Sequence, residues 1–276
     1  MKTLEVKKDD LIDNLNIIKN KLNGKTEVIA VVKANGMGLG LVEYAKFLAE
    51  QGIHFFAVAN SEEAIVLRQN EIKETILMMS EVVDEIELEN LIKNNVILTV
   101  GSLSEKEKIA EIANRLNQKA EVHVKVDTGF ARYGFLYNDE AILEAVEPTE
   151  NVKVTGCFTH FSKTIDEKWT RLQFSRFQNV ISKIKEVNPE IKCHCCNSTA
   201  FLKYEDMWLD FVRLGSCIQG RVLENPLGLK RIGRLKSEII LIKDIPKGYN
   251  ISYSNEYTAP HDMRVAVVNV RIYWWF

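Results

Sequence analysis

Val28-Ile29-Ala30-Val31-Val32-Lys33-Ala34-Asn35-Gly36-Met37-Gly38-Leu39-Gly40 is a β-branched apolar run that stops at a lysine and a glycine-rich turn, with a helical pattern beginning near Leu41. A strand apolar at every position has no face to give to water, so it belongs in a sheet covered on both sides. The same kind of run recurs at His54 to Ala59, Thr75 to Met79, Val96 to Val100, Val122 to Val126, Val152 to Thr159, Ile191 to Cys195 and Phe211 to Leu214. Amphipathic segments separate most of them. Leu11, Leu15, Ile18 and Leu22 line one helical face ahead of the first run; Ile109, Ile112 and Leu116 do so between the fourth and fifth, and Phe174, Phe177, Ile181 and Ile184 between the sixth and seventh. Asp84-x-x-Glu87 and Ser104-x-x-Glu107 read as capping boxes at helix starts. Eight buried strands alternating with helices predict an α/β fold, a (β/α)8 TIM barrel within residues 1–233. An open doubly wound sheet is the competing architecture.

After Gly233 the pattern changes. Leu235 to Ile242, a Pro246-Lys247-Gly248 turn, Ile251 to Thr258 and Met263 to Val270 follow one another with no helix between, which predicts antiparallel strands over residues 234–276. Three or four strands of this length rarely hold a core of their own, so the expectation is an incomplete β domain.

Composition excludes several classes of function. The 276 residues carry 36 Lys+Arg against 38 Asp+Glu, so no basic excess advertises nucleic acid or an anionic membrane as a partner. The apolar runs fall far short of the roughly 20 residues that a membrane span needs. Met1-Lys2-Thr3-Leu4-Glu5 lacks the apolar core of a signal peptide, and a cytoplasmic protein is the expectation. Five cysteines, three of them in Cys193-His194-Cys195-Cys196, do not form a disulfide framework. Alternation would turn Cys193 and Cys195 to one side and His194 and Cys196 to the other, so buried structural thiols are expected and no metal.

Polar residues collect where the runs end. Lys33 closes the first; a lysine there is either a solvated strand end or, if partly desolvated, an amine freed for Schiff-base chemistry. The turn after it, with Glu62 beyond the second run, imitates a dinucleotide site, but G-x-G-x-G does not meet the G-x-G-x-x-G fingerprint. Lys125 and Asp127 share a face of the fifth run, with Arg132 reaching back over its tip. His160, Asn197-Ser198 and Arg213 through Ser216 end the sixth, seventh and eighth. Singly, His160 reads as a core histidine, Arg213 as a barrel ion-pair partner and Asn197-Ser198 as a helix cap. Together they stand at C-terminal strand ends, where a barrel builds its active site.

These segments carry a resemblance. Lys33 to Gly40 resembles the pyridoxal-phosphate lysine motif K-A-N-A-Y-G-H-G of alanine racemases, which are fold type III pyridoxal-phosphate enzymes. Lys125 to Gly134 (K-x-D-T-G-x-x-R-x-G), Thr159-His160-Phe161, His194 to Ser198, Arg213-Leu214-Gly215 and Ser252 to Tyr257 are similar to the same family, in order along nearly the whole chain. The resemblance implies pyridoxal 5'-phosphate held by its aldehyde on Lys33, its phosphate near Asn197, Ser198 and the amides of Gly215 and Ser216. It implies Arg213 on the pyridine nitrogen, an arrangement that disfavours transamination because a guanidinium does not give up its charge. His160 would lie beside the ring and Arg132 by the substrate carboxylate. The lysine matching Lys125 is carbamylated in some members and orients that arginine. Lys33 and Tyr253, the latter from the partner in a homodimer, would be the two bases that interconvert L- and D-alanine.

Two departures stand out. Met37 replaces the family's tyrosine, whose hydroxyl binds the phosphate, so one ligand is missing. Family members also continue well past Val270 with a glycine- and tyrosine-rich stretch, whereas this chain reads Arg271-Ile272-Tyr273-Trp274-Trp275-Phe276. Inserting one adenine before GGA TAT ATT GGT GGT TTT, which encodes G-Y-I-G-G-F, yields R-I-Y-W-W-F. A frameshifted or shortened, C-terminally truncated product with impaired activity is therefore expected, its Trp274-Trp275-Phe276 favouring association. The reading from a different class is a non-catalytic pyridoxal-phosphate carrier on the same barrel, which would have no use for Tyr253. A dinucleotide enzyme would bind its cofactor without a Schiff base.

Overall fold

The computed structural model describes residues 2–270; the terminal Trp274-Trp275-Phe276 lies outside the described residues. Residues 8–231 form one compact unit, and the described residues 2–7 and 232–270 form another.

In the larger unit all eight expected strands are present, as Glu27–Val31, Phe55–Val58, Thr75–Met78, Leu98–Val100, Ala120–Asp127, Val152–Phe158, Lys192–His194 and Phe211–Leu214. Each pairs in parallel with its neighbours in chain order, and Phe211–Leu214 pairs with Glu27–Val31. The ring closes through the parallel bridge Leu77↔Ile97, where the Met78 amide donates to the Ile97 carbonyl and the Ile97 amide to the Ile76 carbonyl, each at 2.8 Å. An open doubly wound sheet reverses its strand order at a switch point and leaves two edges. This sheet does neither, so the barrel is the architecture.

Helices cover the outside with the faces their periodicity marks. Leu11, Leu15, Ile18 and Leu22 of Lys8–Leu22 are buried, as are Phe174, Phe177 and Ile184 of Glu167–Val187, where Val180 takes the place expected for Ile181. Asp84 caps Glu85–Lys93 by accepting from the Glu87 amide. The second cap is corrected: Ser102, not Ser104, accepts from the Glu105 amide and starts Leu103–Arg115. Either serine satisfies the local motif, but capping at Ser102 turns Ile109, Ile112 and Ala113 inward.

The smaller unit is antiparallel throughout. Thr3–Val6, expected with the barrel, pairs with Gly233–Lys236, and Ile239–Ile245 pairs with Met263–Val268. Leu235 to Ile242 is therefore not one strand. Ile251 to Thr258 is likewise broken: Asn250–Ile251 pairs with Tyr257–Thr258 around a 3-10 turn at Tyr253–Asn255. Among the described residues no helix is long and apolar enough to cross a membrane.

Candidate active site

The strand tips of the barrel enclose a cavity of ≈ 630 Å³. Lys33, Lys125, Arg132, His160, Asn197, Ser198, Arg213, Gly215 and Ser216 all line it, with Met37, Glu81, Tyr133 and Phe158 among the other walls. Tyr253 is not among them; it stands on the smaller unit with 93% of its surface exposed.

Lys33 stands just beyond the end of the first barrel strand, after Val32, and is exposed, the solvated strand end of the two readings its position allows. The backbone after it makes a left-handed turn, with φ near +54° at Ala34 and Asn35 and +53° at Met37. Left-handed geometry costs an L-residue about 1–2 kcal/mol, so the turn persists because its surroundings over-determine it. Buried Glu63 accepts from the Asn35 amide at 3.0 Å, the Asn35 side chain accepts from the Leu41 amide at 3.0 Å, and Gln219 Nε2 donates to the Gly36 carbonyl at 3.3 Å. Sequence reading singled out Glu62 and missed Glu63; Glu62 is exposed.

Arg213, 3% exposed, has no carboxylate partner among the described residues. Its Nη1 donates to His194 Nδ1 at 2.6 Å and to the His194 carbonyl at 3.2 Å. Its Nη2 donates to the carbonyls of Thr159 and Cys195 at 2.8 and 3.0 Å, and lies 3.3 Å from His160 Nδ1. Among the described residues its Nε–H makes no hydrogen bond. Burial pulls the guanidinium down to about 10, and burial together with the Arg213 charge pulls His160 down to about 3. The ion-pair and core-histidine readings thus give way to a cationic fork with one N–H to spare beside a neutral imidazole.

Lys125, 4% exposed, donates to the Val126 carbonyl at 3.0 Å; burial, then the charge of Arg213, lowers its amine to about 8. Burial alone would raise the Asp127 carboxyl, yet backbone N–H groups hold it below its usual value: Gly129 and Phe130 each donate to Oδ1 at 2.8 Å, and Arg132 to Oδ2 at 3.0 Å. Asp127 so fixes the loop that carries Arg132, whose guanidinium lies 4.3 Å from the centre of the Phe130 ring. Opposite, Asn197 caps Ser198–Lys203, and Ser198 Oγ accepts from the amides of Gly215 and Cys217, both at 3.2 Å. Cys195 and Cys196 do not point apart: their sulfurs are 3.9 Å from each other and both donate to the Met207 carbonyl. Among the described residues no group of three or more His, Cys, Asp or Glu converges to hold a metal.

These residues fit pyridoxal phosphate. A primary amine, a spare guanidinium N–H suited to a pyridine nitrogen, and a hydroxyl with neighbouring amides suited to a phosphate line one cavity of ligand size. The family models for the alanine racemase N-terminal and C-terminal domains match residues 6–221 and 232–270. Alanine racemase 1 of Oceanobacillus iheyensis is 33% identical over 97% of this chain and 73% of its own length, and the alanine racemase of Desulforamulus reducens is 35% identical over 95% and 73%. Among solved structures, alanine racemase of Clostridium difficile 630 superposes with a TM-score of 0.83 at 35% identity, covering 97% of this chain and 72% of that one. The Bacillus anthracis alanine racemase with bound L-Ala-P gives 0.82 at 26% identity over 97% and 72%. The barrel and the β unit that follows it are the two domains these likenesses cover, and the chain belongs to the alanine racemase family.

Proposed function

We propose that this chain is a pyridoxal 5'-phosphate-dependent racemase that interconverts L- and D-alanine by removing the α-hydrogen from one face and returning it to the other. The observation that carries this reading is the convergence of Lys33 and the carboxylate-free Arg213 on one cavity. The cofactor, when bound, supplies an aldehyde for amines and an electron-withdrawing ring that acidifies the α-hydrogen. The chain's residues do the rest. Lys33 would hold the cofactor and would move the proton on its own face. Arg213 would donate to the ring nitrogen and, as a guanidinium that stays charged near neutral pH, would keep that nitrogen unprotonated, which limits transamination. Neutral His160 would flank the ring, Ser198 with Asn197 and the Gly215 and Ser216 amides would hold the phosphate, and Arg132, oriented through Lys125, would bind the substrate carboxylate.

A base on one face cannot reach the other, so a second is required. We assign it to the partner subunit's Tyr253 in a homodimer. Tyr253 sits between Ser252, Ser254 and Asn255 with φ of +67°, +61° and +53°, a strained presentation of an exposed phenol that fits a residue built to enter another molecule's site. A single-domain carrier would have no use for this loop. The five free, buried thiols fit a reducing cytoplasm. Borohydride reduction of the protein with pyridoxal phosphate, followed by peptide mass spectrometry, should find the adduct on Lys33; label on another lysine, or none, refutes the reading.

A further inference from the structure

Behind the cavity, the barrel interior holds a series of polar rings that no step above uses. Arg213 Nη1 is 2.6 Å from His194 Nδ1, and His194 Nε2 is 3.0 Å from His123 Nδ1. His194 and His123 are 0% and 2% exposed and neither lines the cavity.

The direction of each bond in this series follows from one fact: a guanidinium has five donors and no acceptor. His194 Nδ1 must accept from it, which leaves the ring's proton on Nε2. That Nε2–H donates to His123 Nδ1, so His123 carries its own proton on Nε2. Burial, with the charge of Arg213 beside them, holds both rings neutral. Packing holds their planes. Phe158 stacks on His194 with centroids 4.8 Å apart and 6° between planes, and a Cβ on Gly156 would stand 2.5 Å from His123 Nε2, so only glycine admits that ring.

We propose that His123 is a positioning residue for Arg213: by accepting the His194 Nε2–H, it locks His194 in the tautomer whose Nδ1 accepts from the guanidinium. The lock sets the plane in which Arg213 presents its Nε–H. The inference rests on the racemase reading of the cavity. Without His123, the His194 Nε2–H is left without an acceptor in a dry interior, a costly state that moving the proton to Nδ1 relieves. A proton on Nδ1 would face a guanidinium donor and push Arg213 out of position.

Long-range nitrogen–proton NMR of the histidine rings, with and without pyridoxal phosphate, reads the tautomers directly. Both His194 and His123 should show a bare Nδ1 and a protonated Nε2; a proton on Nδ1 of either overturns the proposal. His123→Phe should shift the His194 tautomer, shift the absorption of the bound cofactor and lower kcat about ten- to a hundredfold with KM unchanged. His123→Asn, which puts an acceptor oxygen near the former Nδ1, should recover most of the loss. A folded His123→Phe protein with unchanged tautomer and kcat overturns the proposal, and if that variant does not fold, the wild-type tautomers and His123→Asn decide. Absence of a borohydride-reducible pyridoxal-phosphate adduct on Lys33 would sink the racemase reading, whereas the ring tautomers measured by NMR would still decide the His123–His194–Arg213 relay.

Discussion

Met37 Sδ lies 2.5 Å from the point where a Cβ on Gly215 would stand. The thioether thus occupies space over the backbone assigned to the cofactor phosphate, at the position where the family's motif has tyrosine. Gly215→Ala should push the flexible end of Met37 off its seat and destabilise the fold by about 1 kcal/mol, the low end of the cost of overpacking, because a thioether can swing aside where backbone cannot. Paired thermal melts and pyridoxal-phosphate titrations should show a lower Tm and weaker binding. Unchanged binding would place the phosphate away from Gly215.

Met37→Tyr tests the missing ligand itself. A phenol hydroxyl on the phosphate adds one charge-assisted hydrogen bond, about 1.5–3 kcal/mol at best, so the cofactor titration should shift to tighter binding. No gain would mean that Ser198 and the neighbouring amides already satisfy the phosphate.

Tyr253→Phe keeps the ring and removes only the hydroxyl. If the partner subunit's Tyr253 is the base for one face, exchange of the α-hydrogen with deuterated solvent should vanish from L-alanine and persist from D-alanine, where Lys33 serves. NMR of each enantiomer separately reads this. Equal loss from both would assign Tyr253 a positioning role, and no loss would remove it from the chemistry.

Glu105 supplies a pH signature distinct from catalysis. Burial, and the neighbouring Glu81 carboxyl, push its carboxyl up to about 7, although it accepts from the Gly101 amide at 2.6 Å and the Tyr133 hydroxyl at 3.2 Å. A carboxyl whose folded value exceeds its unfolded one binds its proton more tightly in the folded state. Its contribution is fully present below the unfolded value of 4.5 and is lost as pH rises through 7. Glu105→Gln, which stays neutral and keeps an accepting oxygen, should flatten the stability profile between those limits; identical urea midpoints for both proteins at pH 5 and pH 7.5 would refute the assignment.

The barrel and most of the site are legible along the chain, because both are written in local patterns. A continuous apolar run reads as a buried strand wherever it lies, and the residue that ends it stands at the barrel mouth whatever the ring's other members are. Lys33, Arg132, His160, Ser198 and Arg213 are found in that way, and all line the cavity. Other features depend on residues far apart in the chain, and folding alone settles them. His123 and His194 are 71 positions apart, and nothing local marks either as the other's hydrogen-bond partner. Glu63 and not Glu62 supports the lysine turn because helix rotation, and not residue type, chooses which carboxylate faces Asn35. Thr3–Val6 leaves the barrel for Gly233–Lys236 because an antiparallel ladder satisfies the backbone of both segments, a pairing no window of sequence contains.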